Sequence, residues 1–410
     1  MREVDIIIIG GGPAGLSAAI SCKREGIDNL LLIEREDRLG GILNQCIHSG
    51  FGLEIFKEDL TGPEYAKRYI TEVERLHIPF MLKGNVLDIS QDKEVVVVSP
   101  KGLFKLRAKA IILSMGCRER ARGAIGIPGT RPAGIYTAGQ AQNLMNIRNY
   151  MVGKRVVILG SGDIGLIMAR RLTLEGARVL AVVEILPYCS GLPRNRVQCL
   201  EDFKIPLLLN HTIVDIKGDK RLKSVTISKV GKRGGIVPRQ KREIPCDTLL
   251  LSCGLIPENE LSRKAGVILD PETSGPIVNE ELETNIPGIY ACGNVLQVHD
   301  LVDWVTLEGE KVGKSAASYV KGGKRNYQWI DARAGSGIRY IIPHRISTER
   351  DVEVTLRVSR PGKDKDILVK DRNRLIKKVF FGKVNPSQMI KLRLNKKELR
   401  GTKALWVSLR

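Results

Sequence analysis

Apolar residues in this chain gather in short unbroken runs separated by glycines. The first, VDIIII at 4–9, leads straight into glycines and then into PAGLSAAISCKREG at 13–26, where apolar and small residues recur at helical spacing. A glycine-bounded apolar run of this length fits a strand buried on both faces, so the opening predicts strand, turn and helix, with LLLI at 30–33 as the next strand. The same pattern returns at RVVIL (155–159), DIGLIMARRLTLEG (163–176) and AVVE (181–184). After each copy comes a meander of alternating runs, PFMLKGNVLDIS with EVVVVSPKGLFKLRAKAIILSMG in the first and IPLLLNHTIVDIKG with RLKSVTISKV in the second. Each copy then closes on an apolar strand that runs into a glycine, Gly116 or Gly254. Residues 118–153 read as a link between the copies.

The turns carry the chemistry. Gly10, Gly12 and Gly15 in the first copy, and Gly160, Gly162 and Gly165 in the second, form GxGxxG between a strand and a helix. The first glycine permits the tight turn, the second lets backbone approach a pyrophosphate, and the third lets helix and strand pack closely. An anion then meets the positive end of the helix. Glu34 and Glu184 each follow the first glycine of their motif by 24 residues, at the end of the next strand, where a carboxylate can accept bonds from a ribose diol. Two motifs in register predict two bound dinucleotides.

The last eighty residues differ in pattern. IRYIIPHRI, DVEVTLRVS, DILVKD, LIKKVFFGKV, MIKLRLN and ALWVSL are short alternating runs parted by turn residues, which predicts a small antiparallel β domain over 331–410. Charge shifts there too. The chain carries +21 over 410 residues, and 331–410 hold 21 Lys or Arg against 8 Asp or Glu, a net of +13. Such a domain could bind an acidic protein, anionic lipid or nucleic acid, or simply present a solvated basic face; nucleic acid is the least favoured while both nucleotide motifs are intact. At roughly 150 residues per domain the length predicts two to three domains. The apolar start is too short to span a membrane and lacks a basic leader, so cytoplasmic residence is expected. Eight cysteines form no CxxC or CxxxxC, and five histidines show no ligand spacing, which argues against a metal, an iron-sulfur cluster or a local redox disulfide.

The order GxGxxG, acid, AIILSMG, second GxGxxG, LLLSCGLIP and GIYACGN over about residues 1–325 resembles the pyridine nucleotide-disulfide oxidoreductase superfamily of two-dinucleotide-binding flavoproteins. The resemblance implies an α/β fold of two Rossmann-like domains, with FAD bound by 1–117 and 254–330 and NAD(H) by an inserted 118–253. It places FAD at Gly10, Gly12, Pro13, Gly15, Glu34, Gly41, Val86 and Gly116, then at Gly293 and Asn294, where Asn stands in place of the family's usual Asp. Trp304 and Val305 become backbone donors at the start of a helix, beginning near Asp303, that faces the flavin. NAD(H) falls to Gly160, Gly162, Asp163, Ile164, Gly165, Glu184 and Gly254, with Glu184 disfavouring a 2'-phosphate.

Family members that reduce disulfides carry CxxxxC or CxxC, whereas Cys46 stands alone in GGILNQCIHSGFG. It is a candidate for a flavin adduct or sulfenate, with an inert loop thiol as the alternative. His48 and His299 are candidates near the flavin, Asp300 for proton handling, with structural roles as the alternative; for Asp300 and Asp303 that role is a helix cap. GGILNQCIHSGFGL, LTGPEYAKRYI and CGNVLQVHDLVDWV further resemble flavoprotein subunits that accompany anaerobic glycerol-3-phosphate dehydrogenase-like proteins and, more distantly, sarcosine oxidases and dye-linked proline dehydrogenases. That implies a hetero-oligomer in which a flavoprotein dehydrogenase or iron-sulfur protein is the redox partner. The alternatives are a free-standing NADH oxidase or reductase using Cys46, and a non-catalytic protein acting through its basic tail.

Overall fold

The computed structural model describes residues 2–231, 234–323, 327–372 and 374–410. The chain divides into two compact units, Met1–Cys117 with Pro257–Arg410, and Arg118–Ile256.

In the first unit the apolar runs lie side by side in a parallel sheet. Strand Arg2–Ile9 pairs with Leu30–Ile33 on one side (Ile6 opposite Leu30) and with Gly102–Leu113 on the other (Ile6 opposite Ala110). Ile6, Ile7 and Ile8 are fully buried, as the unbroken run requires of a strand covered on both faces. Gly102–Leu113 is shared by two partners. Its first half pairs antiparallel with Glu94–Ser99, and its last residues pair parallel with Ile289–Ala291, which returns the late segment to this sheet.

Helix Pro13–Arg24 packs against helix Val302–Val320 at very short range. A methyl added at Gly309 would lie 2.4 Å from Ala14 O, and one at Gly313 would lie 2.6 Å from Ala18 O. Ser17 Oγ donates to Thr306 O (2.8 Å) and Ser21 Oγ to Glu310 O (2.8 Å). The two helix starts are thereby held together.

In the second unit a parallel sheet runs Ile135–Thr137, Thr248–Leu251, Arg155–Leu159, Arg178–Glu184, Leu207–Leu209, beside an antiparallel sheet of His211–Gly218, Leu222–Val230 and Ile236–Pro245. The stretch read as a link holds structure of its own, strand Ile135–Thr137 and helix Ala138–Asn146. AGQAQNLMN is too polar to show a helical stripe, and the Thr137 side chain caps it by accepting from Gln140 N.

Near the C-terminus, strands Arg345–Ser347, Trp329–Ala334, Leu405–Leu409, Gly362–Asp371 and Arg374–Val384 form one sheet, and Ile338–Ile342, Val352–Val358 and Ile390–Leu394 another. Alternate residues such as Val354, Leu356, Val369, Leu392 and Val407 fill a core of their own. Among the described residues no helix is long and apolar enough to cross a membrane, and no group of three His, Cys, Asp or Glu is placed to hold a metal.

Candidate functional site

The two cradles are built alike, atom for atom in several places. Strand Arg2–Ile9 turns at Gly10 (φ +107°), where an added methyl would sit 2.4 Å from Ser114 O; at Gly160 (φ +92°) the corresponding contact is 2.1 Å to Ser252 O. A methyl on Gly15 would lie 1.8 Å from Gly10 O, and one on Gly165 would lie 2.7 Å from Ser252 Cβ. Only glycine lets the helix sit this close to the turn. At Gly12, by contrast, the nearest atom to an added methyl is Gly41 Cα at 4.0 Å, and Gly40 N donates to Gly11 O (2.8 Å). Two stretches of bare backbone thus face each other beside the start of helix Pro13–Arg24, which has no side-chain cap and no acid in its first turn. The residues fit a pyrophosphate there.

Each acid reaches back to the residue between the first two glycines. Glu34 is 6% exposed and accepts from Gly11 N (2.6 Å) and Glu36 N (2.8 Å). Glu184 is 3% exposed and accepts from Ser161 N (2.9 Å), Ser161 Oγ (2.5 Å), Ser190 Oγ (3.0 Å) and Leu186 N (2.9 Å). The Glu34 carbonyl also takes Gly84 N (2.9 Å), two residues before the buried Val86. Gly116 and Gly254 both have positive φ and open space where a side chain would be.

The cradles differ at their helix starts. Asp163 lies in the first turn of helix Asp163–Leu174, and its Oδ1 accepts from Leu192 N (2.8 Å) and Asn195 Nδ2 (2.6 Å), so the side chain braces the 192–195 turn. Ile164 packs on the apolar core of its own unit. Ser114 and Ser252 were not singled out from sequence. Ser114 Oγ donates to Ile9 O and Gly10 O, and Ser252 Oγ accepts from Gly165 N. The repeated LSxG at 113–116 and 251–254 was the available signal.

The late loop is held by several side-chain bonds. Gly293 lies so close to the first helix that an added methyl would be 2.8 Å from Ala14 Cβ and 3.3 Å from Val305 Cγ1. Its N–H donates to Glu308 Oε2 at 2.5 Å. Asn294 Oδ1 accepts from His299 N (2.9 Å) and faces His299 Nδ1 (3.3 Å), while His299 Nε2 lies 3.4 Å from Glu308 Oε1. Burial alone would raise the Glu308 carboxyl, but the His299 ring and the bonds from Gly293 and Gln297 hold it below the ordinary range. Sequence reasoning missed Glu308, which reads as one more polar position on a surface helix.

Several expectations change here. Neither aspartate caps helix Val302–Val320, whose capping residue is Leu301. Asp300 instead pairs with Arg357 (2.8 Å) and accepts from Met389 N (3.1 Å), so it is committed to the β domain and not placed for proton handling. Asp303, 1% exposed, accepts from Gly52 N and Ile55 N and so holds the 52–55 loop. Trp304 N already donates to Leu301 O (3.3 Å), and Val305 is buried beside Gly293. Cys46 is part-buried and donates to Ile42 O, and burial pushes its thiol up to about 12, which disfavours the thiolate a redox role needs. His48 bonds its neighbour's carbonyl, Ser49 O (3.0 Å), and packs on Phe51.

The chain resembles known proteins in sequence and in fold. The chain is similar to a ferredoxin–NADP reductase of Picrophilus torridus, 25% identical over 81% of this chain and 93% of that one. It is similar too to a thioredoxin reductase of Listeria innocua, 26% identical over 77% of this chain and 94% of that one. In fold it matches the crystal structure of T. acidophilum thioredoxin reductase with a TM-score of 0.64 at 23% identity, over 78% of this chain and 99% of that one. The pyridine nucleotide-disulphide oxidoreductase family model matches residues 4–314, and the chain, with its two cradles, belongs to that family of FAD- and NAD(P)H-binding oxidoreductases.

Proposed function

We propose that this protein is a cytoplasmic, NAD(H)-preferring flavoprotein of non-disulfide type that exchanges electrons with a separate redox protein, as one subunit of a glycerol-3-phosphate dehydrogenase-like assembly. The observation that carries the reading is the pairing of two complete cradles with a chain that has no CxxC or CxxxxC. Bound FAD and NAD(H) supply the hydride chemistry. The chain's own residues bind and orient. Gly10, Gly12, Pro13 and Gly15 would present backbone and a helix start to the FAD pyrophosphate, with Gly41 facing them, and Glu34 and Val86 would border the adenosine. Gly293, Asn294 and the start of helix Val302–Val320 form the other end of that site. Gly160, Gly162 and Gly165 hold the nicotinamide dinucleotide, and Glu184 stands where a 2'-phosphate would meet a carboxylate.

The sequence has no cysteine pair at CxxC or CxxxxC spacing to relay electrons to a disulfide, and burial raises the lone Cys46 thiol, which favours a protein acceptor. The ferredoxin–NADP reductase relative supports an acceptor of that kind. The test is anaerobic. NADH should bleach the flavin of the isolated protein, and a one-electron dye or the co-purifying redox subunit should reoxidise it, whereas small-molecule and protein disulfides should not. Disulfide turnover as fast as dye turnover refutes the reading.

A further inference from the structure

Between strand Ile289–Ala291 and helix Val302–Val320 the chain runs as loop and a short turn, half of it buried and none of it fully exposed. A buried loop needs partners for its polar groups, and the β domain supplies them. Gln297, 1% exposed, donates both to Glu308 Oε1 (3.1 Å) and to Thr355 Oγ1 (3.0 Å). Arg357, 9% exposed, donates to Val298 O (2.9 Å) and Asp300 Oδ1 (2.8 Å), while its other nitrogens are fixed by Tyr340 OH (3.0 Å) and Pro386 O (2.9 Å). Met389 N completes Asp300, and Lys391 Nζ sits 4.5 Å over the Trp304 ring. A guanidinium with four acceptors in a fixed fork is a rigid clamp. Beside it, from Thr355, bonds run through Gln297 and Glu308 to Gly293 N, and from Glu308 through His299 to Asn294, while Arg357 itself holds the same loop at Val298 O and Asp300.

We infer that the C-terminal β domain is a positioning element for the cofactor loop 293–304, with Arg357 and Thr355 as its positioning residues. The clamp comes from residues beyond the family match at 4–314. Its consequence is that the basic domain cannot be removed as an independent docking module; truncation at 331 would unfasten the loop as well. The same domain meets the rest of its unit elsewhere through Arg350, which pairs with Glu280 and Glu281, outside 293–304. That second contact separates positioning from general attachment.

The inference rests on assigning Gly293 and Asn294 to FAD, and the test uses the full-length holoprotein. The readouts are the FAD dissociation constant, the flavin absorption spectrum and the flavin midpoint potential. Arg357→Leu should weaken FAD binding by about tenfold or more and Thr355→Val by about threefold, each with a shifted potential, while Arg350→Leu stays within about twofold. Arg357→Lys, which keeps the charge but not the fork, should fall between Arg357→Leu and the unaltered protein. Unchanged FAD binding and potential in folded Arg357→Leu overturns the inference, as does an equal loss in Arg350→Leu. If Arg357→Leu does not fold, Thr355→Val decides by the same criteria. Asn294→Ala keeps the two levels apart: unaltered FAD affinity there refutes the loop assignment itself, whereas a loss there without one in the Arg357 and Thr355 variants refutes only the clamp.

Discussion

Replacing Glu184 with Gln should move the choice between NADH and NADPH while leaving the cradle standing. The carboxylate is buried, with Oε2 accepting from Ser161 N, Ser161 Oγ and Ser190 Oγ and Oε1 from Leu186 N. An amide has one acceptor oxygen and one donor nitrogen, so either Leu186 N or Ser161 N loses its acceptor, at a cost of about 1–3 kcal/mol in stability. That cost falls on both cofactors alike and cancels in their ratio. Only the charge term is selective. A 2'-phosphate about 4 Å from the carboxylate is repelled by about 1 kcal/mol per unit charge pair at the dielectric of water and about 4 kcal/mol at an effective value of 20. These correspond to about 5-fold and about 700-fold. At 3% exposure Glu184 belongs well above the lower limit, so Glu184→Gln should narrow the NADH to NADPH ratio of kcat/KM by about tenfold or more. Glu34→Gln, the twin change in the other cradle, should leave that ratio alone and loosen FAD. The assay is the pair of kcat/KM values for dye reduction on protein of equal FAD content. A ratio unchanged within about twofold in Glu184→Gln would falsify the assignment.

Two further changes probe the packing and the thiol. Gly309→Ala puts a methyl 2.1 Å from Ser17 Oγ and 2.4 Å from Ala14 O, so it should lower stability by about 1–3 kcal/mol in denaturant unfolding and weaken FAD retention; Gly382→Ala, with nothing within 4 Å, should not. Equal midpoints for the two variants would refute the close helix contact. Cys46→Ser should leave NADH-driven flavin bleaching and dye turnover unaltered, and because burial holds the thiol at about 12, iodoacetamide should label Cys46 slowly from pH 7 to 9 in the native protein; loss of turnover would restore a redox role.

Both cradles were legible in the sequence because their demands are local. Gly10 and Gly160 sit at positive φ, Gly15 and Gly165 have no room for a side chain, and Glu34 and Glu184 close strands one helix later, so chain spacing alone brings these groups together. The duplicated LSxG is equally local, but which groups Ser114 and Ser252 bond is set by the turns they face. Polar side chains in the late loop were harder. Asp300 and Asp303 look like caps because aspartate before an apolar helix usually is one, yet Asp300 is claimed by Arg357 and Asp303 by the amides of Gly52 and Ile55. Helix Ala138–Asn146 was hidden for the opposite reason, since its polar sequence carries no stripe.

The sequence by itself determined the two strand–turn–helix cradles, their acids, the shift to a β-rich basic tail and the lack of a cysteine pair, all of which are matters of residue type and short spacing. Only the tertiary structure decided what the late loop rests on. Glu308 meets Gly293 across 15 residues, Gln297 meets Thr355 across 58 and Asp300 meets Arg357 across 57. A bond between distant residues leaves no period or spacing to read; it exists because burying that loop obliges each of its polar groups to find a partner, and the fold sets which one is near.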